Sequence, residues 1–223
     1  MLNLVFVVIA SYLIGSIPSS IIVSKLVRGI DIREHGSGNA GGSNVFRVLG
    51  WKYGLLVILL DALKGAVAVI VIARMYLDRI PFNNITPFDD FTLVQIICGI
   101  SAVIGHIWTV FAGFRGGKGI ATGLGVLIII ITVDMTLALG VFFIVVFISR
   151  YISLGSLAAA VSVPLILVIR ENIFGVNIPG YNTVLPFCIA IALLVIYTHR
   201  KNIDRLIKGS ESKISFVKRI KNK

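Results

Sequence analysis

The sequence predicts an all-α integral membrane protein, a polytopic bundle of seven transmembrane helices. One of the seven is short, the N-terminus is outside and the C-terminus is cytoplasmic. Three observations lead there. Of 223 residues, 57% are hydrophobic and only 14% charged, with a mean hydropathy of +0.98, whereas a soluble domain carries about 25% charged residues. The apolar residues gather in six runs, near 2–27, 53–77, 91–111, 120–148, 152–169 and 183–198, and a spanning helix needs about 20 of them. The basic residues, which set a net charge of +11, flank these runs and do not interleave with aromatics. That placement points to anionic lipid and anionic substrates and away from nucleic acid.

No Lys or Arg precedes the first run, and Lys25 and Arg28 follow it. The run therefore reads as a retained helix and not as a cleavable signal peptide. The second run carries Asp61 and Lys64, three apart and on one helix face. Each alone would cost about 2.5–3.5 kcal/mol at mid-membrane, so they are expected to pair or to line a polar interior. The third run ends at His106 and Trp108. Trp108 is expected to anchor the interface, and His106 reads as a buried hydrogen-bonding residue before a base. Cys98 and Cys188 sit inside apolar runs without metal-ligand spacing and read as packing residues.

The fourth run decides the parity. Six passes would put both termini on one side, against the charges. Splitting 120–148 into a short helix to about Ile131 and a second from about Asp134, with Thr132-Val133-Asp134 as the outer turn, gives seven. Seventeen basic residues then face inward and three, Arg74, Arg79 and Arg170, face outward. A short pass survives when it packs inside the bundle instead of facing lipid. Residues 1–200 thus read as one membrane domain with cytoplasmic loops at 28–50 and 105–120. Residues 201–223 read as a basic cytoplasmic tail held to anionic lipid, with Phe216, Val217 and Ile220 among its apolar members.

Polar chemistry concentrates in three stretches. In the first, GSGNAGGSNVFR over 36–47, glycines alternate with Ser37, Asn39, Ser43 and Asn44, and Arg47 follows one turn on. Glycine lets an anion approach bare N–H groups, and Ser43 or Asn44 is placed to cap a helix aimed at the same ligand. The stretch spells G-x-G-x-x-G, yet it follows a membrane helix and lacks a βαβ setting, so the dinucleotide fingerprint is a false match. The second, GFRGGKGIATGLG over 113–125, surrounds Lys118 with glycines and has Arg115 nearby. It is no P-loop: Ala112 stands where the first glycine belongs and Gly119 where the metal-binding hydroxyl belongs. A flexible loop beside small-residue packing is the plainer reading, but both loops fall on one membrane side and together suit one or two phosphoryl groups. In the third, His199 and Asn202 are three apart at the end of the last span, with Arg200 and Arg205 adding charge. Without the other two stretches it would read only as a basic helix end. His199 and Asp204 also spell His-x4-Asp, but residues five apart lie about 140° apart around a helix, whereas His199 and Asn202 lie within about 60°.

These motifs resemble, over nearly the whole chain, the bacterial membrane-integral glycerol-3-phosphate acyltransferases that use acyl-phosphate as donor. The resemblance is carried by GSIPSS at 15–20, GSGNAGGSNVFRVLG at 36–50, LDALKG at 60–65, GHIWTVFAGFRGGKGIATG at 105–123, SRYISLGS at 149–156 and HRKNI at 199–203. The chain departs at Gly42-Ser43, where the family usually has Ala-Thr, and at Thr109, where it usually has Pro. The resemblance implies a seven-helix enzyme of the bacterial inner membrane, its active site facing the cytoplasm. It would move an acyl group from acyl-phosphate to the sn-1 hydroxyl of glycerol-3-phosphate, giving lysophosphatidate and inorganic phosphate in phospholipid synthesis. It implies no metal, no other cofactor, no coenzyme A and no covalent acyl-enzyme.

By the same resemblance Ser37, Arg47, Lys118, His199 and Asn202 are the expected catalytic residues. Gly36, Gly38, Asn39, Gly41, Ser43, Asn44, Gly116, Gly117 and Gly119 join them as expected substrate contacts. A transporter of phosphate or organic phosphate is the alternative class. Secondary transporters show repeat symmetry and a midplane site; this chain shows no repeat and gathers its polar motifs at one face.

Overall fold

The computed structural model describes residues 2–76 and 90–214. Among them all regular structure is helical. The first run forms α1 (Leu2–Gly15) and α2 (Ser19–Arg28), one span from Leu4 to Arg28. Pro18 separates the two helices because it brings no N–H to the ladder. The carbonyls of Ser16 and Ile17 at this break turn to distant parts of the chain: Thr109 Oγ1 of the second loop donates to the first, and Lys64 Nζ of the second span donates to the second at 2.9 Å.

After the first polar loop come α3 (Gly42–Leu49) and α4 (Trp51–Val67). A π-helical turn at Ala68–Ile72 carries α4 into α5 (Ala73–Tyr76), giving a second span from Trp51 to Met75. The third span contains α6 (Asp90–Ile107). The remaining helices are α7 (Ile120–Ile130), α8 (Thr132–Ser149), α9 (Ile152–Asn172), α10 (Tyr181–Thr198) and α11 (Arg200–Ile207).

Among the described residues six segments are long and apolar enough to cross a membrane, and α7 is a shorter apolar helix. That matches the expected seven, one short. Eleven residues rise only about 16 Å, half the hydrocarbon thickness. Burial compensates: Val126 and Leu127 of α7 sit in the largest core cluster with Met135 of α8, Leu167 of α9 and Phe187 of α10. Gly125 permits the contact with α4, since a Cβ there would lie 1.8 Å from the Ala62 carbonyl oxygen. Gly105 does the same for α6 against α1, where a Cβ would lie 2.2 Å from the Tyr12 carbonyl oxygen.

The expected pair inside the second span is present, with Lys64 Nζ 3.0 Å from Asp61 Oδ1. Two expectations are corrected. The break between α7 and α8 falls at Ile131 (φ −135°, ψ 63°), and Thr132-Val133-Asp134 form the first turn of α8 instead of an outer turn. Asp134, expected to face outward, is buried and pairs with Arg170 of α9 at 2.6 Å, where the α8 dipole also favours its charge. The start of the basic tail, residues 201–214, also makes contacts with the bundle. Glu211 accepts from Ser153 Oγ, and Ile214 N donates to the Arg150 carbonyl at 2.9 Å, so this segment is tied to the α8–α9 corner. Phe216, Val217, Ile220 and most of the loop 78–90 lie outside the described residues.

Candidate functional site

The site is built from the three polar stretches, which the bundle gathers at one end. In the first loop, Asp31 caps a 3-10 turn at Ile32–Glu34 by accepting from Arg33 N at 3.0 Å. The Arg33 guanidinium grips the same carboxylate, holding it down at about 2, and reaches across to the Ala112 carbonyl at 2.7 Å. This links the first loop to the approach of the second.

Asn44 organises the loop between them. Its Oδ1 accepts from Ser37 N at 2.8 Å, and its Nδ2 donates to the carbonyls of Ile32, His35 and Asn39 at 2.9–3.1 Å. The Asn44 side chain, expected at the substrate, spends its amide on the loop itself, and the residue is 1% exposed. Neither Asn44 nor Ser43 caps α3. The cap is Gly41, in extended conformation (φ −147°, ψ 164°), which leaves Ser43 and Asn44 inside the first turn. Gly36 is required by this arrangement, having φ +62° and space for no Cβ, which would meet Asn44 Oδ1 at 2.3 Å. Ser37, Gly38 and Arg47 are exposed on the resulting surface, with Asn39 and Ser43 half-buried beside them.

The second loop begins at Thr109, whose φ of −68° is the value a proline would impose. The departure from the usual proline thus keeps the backbone and adds the hydroxyl bond to Ser16. The loop then folds back onto the end of α6: Gly116 N donates to the Ile107 carbonyl at 3.0 Å and Gly117 N to the His106 carbonyl at 3.1 Å. Gly119 (φ +82°) turns the chain into α7. Arg115, expected near the site, is exposed and outside this fold-back.

Between them stands Lys118. Its Nζ donates to Asn202 Oδ1, and its carbonyl accepts from Thr198 Oγ1 at 3.3 Å, so the second and third stretches are joined directly. Burial lowers the Lys118 ammonium to about 8; Glu211 opposes this, and the Arg205 and Arg47 charges add to it. Arg47 of the first stretch thus shares the electrostatic environment of the other two.

His199 sits at the α10–α11 corner, buried, with Nδ1 2.8 Å from the Val195 carbonyl oxygen. A carbonyl only accepts, so Nδ1 carries the proton and Nε2 keeps its lone pair. Burial and then Lys118 push the imidazole down to about 4, which makes it a neutral acceptor and a weak base at physiological pH. Asp204 is exposed and pairs with Lys208 at 2.9 Å, turned away from this group. Arg200 also lies outside, stacked on Tyr197 with its guanidinium carbon 4.4 Å from the ring centroid.

Sequence reasoning missed Glu211. Its carboxylate accepts from Asn202 Nδ2 at 2.8 Å, Ser153 Oγ at 3.1 Å and Arg205 Nε at 2.6 Å, and it is 8% exposed. Desolvation opposes its charge, but the hydrogen bonds from Arg205, Asn202 and Ser153 outweigh this and hold its carboxyl below the usual range. The available signal was an acid two residues after Gly209 in a predominantly basic tail.

A family model described as glycerol-3-phosphate acyltransferase matches residues 5–209. A relative of that name from Chlorobium chlorochromatii is 44% identical over 98% of this chain and 100% of its own length. Another from Chlorobaculum tepidum is 45% identical over 97% of this chain and 98% of its own. Two solved structures of PlsY (YgiH), an integral membrane glycerol 3-phosphate acyltransferase, share the fold. Its glycerol 3-phosphate form gives a TM-score of 0.78 at 37% identity, covering 95% of this chain and 96% of that one. Its lysophosphatidic acid form gives 0.76 at 36%, covering 95% of each.

Proposed function

We propose that this chain, which belongs to the glycerol-3-phosphate acyltransferase family, acylates the sn-1 hydroxyl of glycerol-3-phosphate with acyl-phosphate as donor. The products are lysophosphatidate and inorganic phosphate, and the reaction runs at the cytoplasmic face of the bacterial inner membrane. One observation carries this reading: Lys118 of the second glycine loop is bonded to Asn202, next to the neutral His199, within the field of Arg47 and Arg205. Cations, glycine-rich backbone and a neutral acceptor at the end of an apolar bundle suit a phosphate-bearing alcohol and a phosphate-bearing lipid together.

The glycine loops, Gly36 to Gly41 and Gly116 to Gly119, hold the donor phosphate, and the acyl tail lies between helices. Arg47, Lys118, Ser37 and Asn202 hold glycerol-3-phosphate, and Lys118 touches both phosphates. The hydroxyl oxygen attacks the acyl carbonyl carbon, the carbon–oxygen bond to phosphate breaks, and phosphate leaves with the electron pair. His199 Nε2 orients the hydroxyl by accepting its hydrogen bond. At about 4 it is too weak a base to keep the proton, which passes to a phosphate oxygen of the substrate. Phosphate is a good leaving group, so positioning and charge stabilisation supply most of the acceleration. No metal or coenzyme A takes part, and α11 with Glu211 acts as part of the same domain as the bundle.

The test is purified protein with acyl-phosphate and glycerol-3-phosphate, assayed for lysophosphatidate and phosphate with and without EDTA, with acyl-CoA as comparison donor. Stoichiometric phosphate release that EDTA leaves intact is the expected result. Turnover with acyl-CoA alone overturns the donor assignment.

A further inference from the structure

Beneath the site lies a group of buried ionisable side chains that the reaction as drawn does not use. Asp61, Lys64 and His106 are 2%, 6% and 6% exposed. Lys64 Nζ lies 3.0 Å from Asp61 Oδ1, and His106 Nδ1 lies 3.6 Å from the same oxygen. Lys64 also reaches the Ile17 carbonyl at the α1–α2 break. Replacing a buried ion pair by apolar packing is often neutral or stabilising, so helix packing alone gives no reason for three such groups here.

The position of the cluster supplies the reason. The second glycine loop rests on His106. Gly117 N donates to its carbonyl, Gly116 N donates to the next carbonyl, and a Cβ at Gly117 would lie 2.2 Å from His106 Nε2 and 2.8 Å from the Ala40 carbonyl oxygen. Ala40 belongs to the first glycine loop, so the two loops meet at Gly117, which lies against this imidazole. Ser19, Ser20, Ala40, Lys64, His106 and Gly117 line one small cavity here. The residue after Gly117 is Lys118.

We propose that His106, oriented by Asp61 and Lys64, is a positioning residue: it seats the second glycine loop against the first and so fixes Lys118 over the substrate phosphates. The Asp61 carboxylate, paired with Lys64 and 3.6 Å from Nδ1, biases the imidazole toward one orientation by its charge, and the glycines at 116 and 117 let the loop backbone lie directly on it. The chemistry at Lys118 thereby depends on a carboxylate and an ammonium that touch neither substrate.

The proposal rests on the reading of Lys118 as a substrate-holding cation, and a double-mutant cycle tests the two separately. His106→Leu, Lys118→Met and the double variant are assayed for kcat/KM on both substrates, using whichever donor the wild-type protein turns over. Detergent-solubilised Tm is recorded for each. The expected result is a loss of about 10-fold or more for His106→Leu alone that shrinks to less than about 3-fold in the Lys118→Met background. His106→Asn, which retains a polar N–H donor at this position, recovers part of the loss. Losses that multiply show His106 acting independently of Lys118 and overturn the proposal, as does a His106→Leu enzyme with wild-type kinetics. A silent Lys118→Met refutes the reading of Lys118 itself, and this proposal with it. If His106→Leu does not accumulate folded, Asp61→Asn, which keeps the side-chain shape, takes its place under the same criterion.

Discussion

Glu211→Gln separates an electrostatic role for Glu211 from a packing role. The carboxylate accepts from Asn202 Nδ2, and Asn202 Oδ1 accepts from Lys118 Nζ. Two hydrogen bonds in series across one amide place the ammonium about 6–7 Å from the carboxylate. At an effective dielectric constant of about 20–40, that separation is worth about 1–2.5 kcal/mol of attraction. Glu211 is what holds the Lys118 ammonium up against burial and the Arg47 and Arg205 charges. Glutamine keeps the size and can still accept from Asn202 and Ser153, but it removes the charge and leaves Arg205 uncompensated. The Lys118 pKa, already at about 8, falls further. Active enzyme needs the protonated ammonium, so activity is present below that pKa and is lost as pH rises through it. The alkaline limb of kcat/KM for glycerol-3-phosphate, which reports the free enzyme, therefore moves about one pH unit toward acid. Loss of activity in the variant is accordingly larger at pH 8.5 than at pH 6.5. An alkaline limb superimposable on that of the wild type, with any loss equal at all pH, would refute the electrostatic coupling.

Other predictions follow from the same geometry. Lys118→Met and Arg47→Met each remove charge-assisted hydrogen bonds worth about 1.5–3 kcal/mol, so each lowers kcat/KM by about 10- to 150-fold; unchanged steady-state constants for both substrates would sink either assignment. Asp204→Asn is nearly silent because its partner Lys208 is exposed, whereas Asn202→Ala unties Lys118 from Glu211 and cuts kcat/KM by about 10-fold or more. An inactive, folded Asp204→Asn enzyme beside an active Asn202→Ala enzyme reverses that choice. Single cysteines at Val133, which is 53% exposed, and at Asn177 label with an impermeant thiol reagent in intact cells, while one at Ser37 does not. Labelling at Ser37 inverts the topology, and labelling at Asn177 without Val133 removes the short α7 pass.

Much was legible from sequence because it depends on local arithmetic. Hydropathy adds residue by residue, so the six apolar runs and the need for a seventh, short pass could be counted before any packing was known. The angular step of the helix put Asp61 and Lys64 on one face, and the structure keeps that relation; it also set Asp204 apart from His199 on a continuous helix, whereas the chain turns at His199 and Asp204 instead pairs with Lys208. Glycine density marked the two loops. What only the tertiary structure decided was where polar groups find partners, since a hydrogen bond depends on atoms brought from distant parts of the chain. The sequence made Asn44 a substrate contact; packing of the first loop turned its amide inward onto four backbone groups. It made Asp134 an outer turn, but α9 supplied Arg170 as a partner for the buried carboxylate. It left Glu211 in a basic tail, and the return of the chain past α9 placed it behind Asn202. His106 could be read as buried from its surroundings in the chain, but its place under Gly117 required the close approach of α1, α4 and α6. Composition and periodicity set which helices form; the contacts that hold Lys118 in place exist only once those helices have packed.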